Sequence, residues 1–196
     1  MTSTYPRLHS TGALFASGLA AALLLLGPGA AAAQTDTSGG PAPVDPCQLV
    51  TASEASALAG ANFDTGTYSD NGSTCIYGAQ TVNVFMITAA QATDADTAQA
   101  DWAQDEAKVQ SVSGSSVPAG ITVNFNVNDV NDLAGADRAA TGQMSLAGQG
   151  HAISGSAFYL LKGATFVGFS DLQVGTGAPS SDAMESQAAT VLSRLP

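Results

Sequence analysis

Positive charge is what this sequence has least of. Five Lys and Arg stand against 16 Asp and Glu, a formal net charge of −11 over 196 residues. Phosphate binding rests on Lys and Arg that displace counterions, so a few scattered bases cannot form a nucleic-acid groove, and the same shortage disfavours anionic membrane surfaces. Histidine is almost as scarce, with only His151 beyond the N-terminal segment. Cysteine occurs twice, as Cys47 and Cys75. A tetrahedral metal site built on Cys47, Cys75 and His151 would lack a fourth soft ligand, so no metal and no cofactor are expected. The chain has no Gly-x-Ser-x-Gly nucleophile elbow, and its Gly-rich stretches, such as Gly148-Gln149-Gly150 and Gly175-Thr176-Gly177, precede no phosphate-binding lysine and read as turns.

Long apolar runs are missing too, and the one that exists is informative. From Gly12 to Leu26 it spans about 15 residues, short of the roughly 18 to 20 that a membrane-crossing helix needs. Arg7 precedes it, Gly27-Pro28-Gly29 breaks it, and Ala30 to Ala33 follow. This order reads as a secretory signal peptide over residues 1–33, with Gln34 the first mature residue; an uncleaved anchor is the alternative. Lipid attachment is not expected, because the first cysteine, Cys47, lies beyond the spacer QTDTSGGPAPV rather than directly after the small-residue site. That spacer, residues 34–44, is too poor in large side chains to fold and reads as a flexible linker. Residues 45–196 remain as one domain, secreted or held in the periplasm or cell envelope, with no transmembrane span after cleavage. Loss of Arg7 leaves Lys108, Arg138, Lys162 and Arg194 against all 16 acids, which are spread singly as on a soluble surface. In an oxidising compartment Cys47 and Cys75 are expected to pair, and closing that loop contributes about 3 to 4 kcal/mol in the chain-entropy account.

Periodicity predicts the rest. Thr51-Ala52-Ser53-Glu54 is a capping box and Gly60 a stop, framing a short helix. Asp70-Asn71-Gly72 signals a turn, and Thr74 to Gly78 and Thr81 to Ala89 read as strands. Across Asp94 to Val112 the period changes: Ala95, Ala98, Trp102 and Val109 form one helical stripe, with Asp101, Asp105 and Lys108 facing water. After Pro118-Ala119-Gly120, Ile121, Val123, Phe125 and Val127 alternate with Thr122, Asn124, Asn126 and Asn128 as a one-sided strand. Strands are also expected at Asp137 to Leu146, His151 to Leu161 and Ala164 to Leu172, the last two joined tightly at Lys162-Gly163. Phe158 and Leu160 point one way and Tyr159 and Leu161 the other, which marks central strands covered on both faces. A closing helix opens near Pro179 and Ser181 or Asp182 and carries Met184, Ala188, Val191, Leu192 and Leu195 at helical spacing. The expected fold is α+β: a mostly antiparallel sheet of about five or six strands packed by about three helices, with one disulfide.

Three local patterns invite chemistry. Asp64-Thr65-Gly66 has the triplet of aspartic proteases, but such a site needs a second triplet and none follows, so a turn is the reading. The run Asn124-x-Asn126-x-Asn128-Asp129-x-Asn131-Asp132 is rich in oxygen ligands, yet counted as a calcium loop it has Asp129 where Gly is needed and Gly135 where Glu is needed; it reads as an exposed strand face entering a polar turn. His151 has no nucleophile elbow to serve.

Asp45-Pro46-Cys47-x-Leu49-x-Thr51, followed by Cys75-x-Tyr77 and a closing Leu192-Ser193-Arg194-Leu195, resembles a group of small exported domains of unknown function, common in actinobacterial envelopes and often borne by lipoproteins. The resemblance implies a compact α+β domain with a Cys47–Cys75 disulfide and assigns no catalytic residue. The functional expectation is a non-catalytic envelope or extracellular module that binds a protein or a small apolar ligand where sheet and helix meet. Tyr77, Phe85, Trp102, Phe125, Tyr159 and Phe169 are the candidate lining, and each could equally fill the core. The alternative is a small secreted hydrolase whose carboxylates converge only in the fold. A cleft gathering acids with His151 would mark the hydrolase, and an apolar groove without titratable groups the binder.

Overall fold

The computed structural model describes residues 44–69, 72–78, 83–112, 116–117, 121–148, 151–174 and 177–196, with only the backbone course described at 108–112, 116–117, 121–123, 146–148 and 151. The expected signal peptide, the linker up to residue 43, Asp70 and Asn71 of the expected turn, and the side chains of Lys108, Val109 and His151 lie outside the described residues.

The described chain begins with caps. Asp45 Oδ1 accepts the Cys47 N–H at 3.0 Å, and Pro46 takes the first helical position, where no N–H is needed, so a single turn forms as α1 (Pro46–Leu49). Thr51 then starts α2 (Ala52–Ala59) with the expected capping box: the Thr51 N–H donates to Glu54 Oε2 at 2.7 Å and the Glu54 N–H to Thr51 Oγ1 at 3.3 Å. Gly60 closes it at φ 60°. The long crossover helix is α3 (Ala95–Val112), and the last is α4 (Ser181–Arg194), capped by Ser180, whose hydroxyl accepts the Ala183 N–H at 3.2 Å, one residue before the expected start.

Eight strands form one antiparallel sheet in the order β1-β2-β3-β8-β7-β6-β5-β4. The six long ones are those the alternation predicts: β2 (Thr74–Tyr77), β3 (Val84–Gln91), β5 (Ile121–Asp129), β6 (Arg138–Gly148), β7 (His151–Lys162) and β8 (Thr165–Val174). The expectation of five or six strands falls short by the edge pieces β1 (Thr67–Tyr68) and β4 (Ser116–Val117), two residues each and too short to alternate. Likewise α1, a single turn, brings the described helices to four where three were expected. The α3 crossover carries the chain from β3 to the far edge, and a meander returns to pair β8 with β3, Phe85 opposite Asp171. The β7 and β8 strands therefore sit centrally, as their doubly apolar pattern requires.

The two faces are covered unequally. On the first, α1, α2 and α4 enclose a core of Leu49, Val50, Tyr77, Phe85, Ile87, Phe158, Leu160, Val167, Phe169, Met184, Val191 and others. Rings cross four strands there, Phe63 to Tyr77 to Phe85 to Phe169 to Phe158, with centroids 6.3, 6.0, 6.2 and 5.7 Å apart. On the second face α3 alone packs, setting Ala98 and Trp102 over Ala140 and Leu161, with Val127, Tyr159 and Phe166 around them. Ala95, expected on that stripe, is exposed in the first turn of α3. Arg138 lies over the Trp102 ring at 5.4 Å and donates to Glu106 at 3.3 Å, tying the helix to β6.

Candidate functional site

The residues that carry the resemblance meet at one corner of the first face, and their work there is structural. Cys47 of α1 bonds to Cys75 of β2, Cα to Cα 5.1 Å. Two residues on, the Tyr77 hydroxyl donates to the Val50 carbonyl. From the end of α4, Arg194 donates to the Leu49 carbonyl at 2.6 Å and to both Glu54 carboxylate oxygens at 2.8 and 2.7 Å. That guanidinium holds the Glu54 carboxyl down at about 2. The Asp64-Thr65-Gly66 triplet belongs here too. A Cβ on Gly66 would strike Cys75 Sγ and stand 2.8 Å from the Tyr77 ring, so the glycine is set by close approach to the disulfide.

The second face offers the cleft. In register, Phe125, Met144, Gly155 and Leu172 form one row across β5, β6, β7 and β8, and Val127, Gly142, Ala157 and Ser170 form the next. Small side chains at the centre make a floor of Gly142, Gly155, Ala157 and Ser170 between taller walls of Phe125 and Met144 on one side and Leu172 on the other. Tyr159 closes the end toward α3, stacked on Phe166 at 6.2 Å. The result is a narrow, shallow cleft of about 20 Å³ open to solvent. Gly155 keeps it open: a Cβ there would meet Leu172 Cδ2 at 2.7 Å and the Asp171 backbone oxygen at 2.9 Å. Phe125 and Met144 are half-buried, so the outer wall is the part with room to move. Burial pushes the Tyr159 phenol well above its usual range, so it stays neutral in the cleft wall.

Strand alternation turns the Asp171 side chain away from the cleft, and only its backbone lines the floor. The carboxylate instead lies on the first face, between Phe85 on β3 and Ser156 on β7. It is wholly buried, and neither oxygen accepts a hydrogen bond among the described residues. Burial pushes it up to about 6, offset only in part by the nearby Gln173 amide. The sequence analysis did not single this residue out, although it lies in a strand expected to be covered on both faces.

The sequence-derived candidates are dispersed. Tyr77, Phe85 and Phe169 fill the first core, Trp102 anchors α3, and only Phe125 and Tyr159 reach the cleft. His151 opens β7 opposite Gly148. No group of three His, Cys, Asp or Glu side chains that could hold a metal ion comes together among the described residues. Asn124, Asn126 and Asn128 are exposed along β5, as an open strand face predicts. The cleft floor was missed, although glycines at 142, 155 and 168 inside consecutive strands are a sign of close approach.

No family model matches this chain, and no curated protein matches it. Among solved structures the fold is similar to that of the extracellular domain of PknH from Mycobacterium tuberculosis, with a TM-score of 0.53 and 12% identity over 79% of this chain and 98% of that one. The likeness is one of fold. It is to an extracellular domain from an actinobacterium, and among the described residues no helix is long and apolar enough to cross a membrane.

Proposed function

We propose that residues 45–196 form a secreted or envelope-held binding module without catalytic activity, and that the cleft on the α3 face receives a small apolar ligand or an apolar side chain of a partner protein. The observation that carries this is the lining itself: Phe125, Met144 and Leu172 over Gly142, Gly155, Ala157 and Ser170, with no acid side chain aimed into it. Concave apolar sites with few polar groups bind by removing apolar surface from water, at roughly 25 cal/mol per Å². The net charge of −11 favours neutral ligands over anionic ones. Support for the location comes from the disulfide and from the fold shared with an extracellular domain. Release from a signal peptide ending at Ala33, without lipid attachment, belongs to the same reading.

The test uses Nile red as a neutral apolar probe. Its fluorescence should rise and shift to the blue with the folded protein, be displaced by decanol, and be lost in Met144→Lys, which puts a charge on the half-buried wall. Binding that is unchanged in Met144→Lys would overturn the assignment. N-terminal sequencing of exported protein should read from Gln34, and an intact residue 1 to 33 segment in the membrane fraction would contradict release.

A further inference from the structure

A wholly buried carboxylate whose oxygens accept no hydrogen bond among the described residues is costly and calls for a physical reason. Two donors beside Asp171 on its own face both hold other elements down. Ser156, its cross-strand partner, donates to the Pro179 carbonyl at 2.7 Å and so pins the lead-in to α4. Gln173, two residues along β8, donates to the Ala59 carbonyl at 2.9 Å and so pins the end of α2. Asp171 thus sits between two latches whose donors would serve its charged form better than they serve neutral carbonyls.

We propose that Asp171 is a pH-sensitive latch: neutral, it leaves Ser156 and Gln173 holding α4 and α2 to the sheet, and ionised, it draws those donors to itself and loosens both helix ends. The charged groups on the surrounding elements are engaged elsewhere. On α2, Glu54 is bound by Arg194 of α4 and by Thr51. The Tyr77 hydroxyl of β2 donates to Val50, and Lys162 of β7 donates to the Leu195 carbonyl at 3.0 Å. Asp182 and Glu185 of α4 complete the set, exposed and half-buried respectively. None of these acts on Asp171, which responds to burial first and to Gln173 second. Because its folded value lies above the ordinary value of 3.8, the latch is fully closed below that value and opens as pH rises through about 6.

Native-state hydrogen exchange from pH 4.5 to 7.5, corrected for the intrinsic rate, tests this on the whole domain. The Ala183 and Met184 amides, bonded to Ser180, should lose protection by about tenfold or more as pH rises, within the limit of about 100-fold set by the rise of Asp171 from 3.8 to about 6. Amides of the β2–β3 pair should change less. Asp171→Asn, neutral at every pH, should abolish the dependence, whereas Asp182→Asn should keep it. Carbon-13 titration of the Asp171 carboxyl in the unaltered protein gives a readout that needs no variant. A midpoint near 4, a pH-independent α4 terminus, or a dependence that survives in Asp171→Asn would each overturn the proposal.

Discussion

The two faces of the sheet solve different problems. The α4 face is held by three helices, a five-ring aromatic path, the Cys47–Cys75 bond and the Arg194–Glu54 pair. The α3 face is held by one helix through Ala98 and Trp102, and along the same strands it gives way to a floor of small residues. Stability is thereby concentrated on one side, which leaves the other side able to carry a recess without unfolding the domain. Low local stability is where binding elements are usually drawn from, which is why the proposed binding cleft sits on the α3 face.

Breaking the first face should cost most. Phe169→Ala removes a buried ring stacked on Phe158 at 5.7 Å and should destabilise by about 4 to 5 kcal/mol in denaturant titration. Reducing the disulfide, which closes a separation of 28 residues, should cost about 3 to 4 kcal/mol. On the second face Trp102→Ala should cost about 3 kcal/mol, nearer the low end for a large ring because less surrounds it. It should also expose α3 to exchange while leaving the β2–β3 amides protected. Equal costs for Phe169→Ala and Trp102→Ala, with equal loss of protection, would remove the asymmetry.

The smallest effects come from charge and run in opposite directions with pH. Glu54, held low by the Arg194 hydrogen bond, contributes stability above its ordinary value of 4.5 that is lost as pH falls toward about 2. The pair is about a third exposed, so solvent screening limits it to about 1 kcal/mol, and Arg194→Ala should cost about that much more at pH 7 than at pH 2, where only the loss of its bond to the Leu49 carbonyl remains. Asp171 works the other way, stabilising in acid and losing that contribution through about pH 6. Thermal melts across pH 2 to 8 should therefore show a maximum near pH 4 to 5, and Asp171→Asn should flatten its alkaline side.

How much of this could be read beforehand follows from what sets each feature. Local chemistry was legible: Thr51 and Glu54 announce α2, Gly60 ends it, and the alternation from Ile121 to Asn128 marks β5. The opposed pairs Phe158/Leu160 and Tyr159/Leu161 placed β7 in the middle of the sheet. Elements of two to four residues, β1, β4 and α1, escaped because they are made by pairing and capping, not by periodicity. The cleft escaped for a different reason. Its floor joins Gly142, Gly155, Ala157 and Ser170 from three strands, and only the register brings them together. Asp171 escaped because alternation alone does not say which helix ends will close over a strand.

The most direct measurement follows the methionine methyl groups by carbon-13 NMR while decanol is added to the oxidised domain. Met144 stands in the cleft wall, Met86 lies in register with Ser170 of its floor, and Met184 is buried under α4 on the opposite face. The account predicts a saturable shift at Met144, a smaller one at Met86 and none at Met184. A saturable shift at Met184 with Met144 unmoved would contradict it, because the ligand would then have entered the face that the structure assigns to stability.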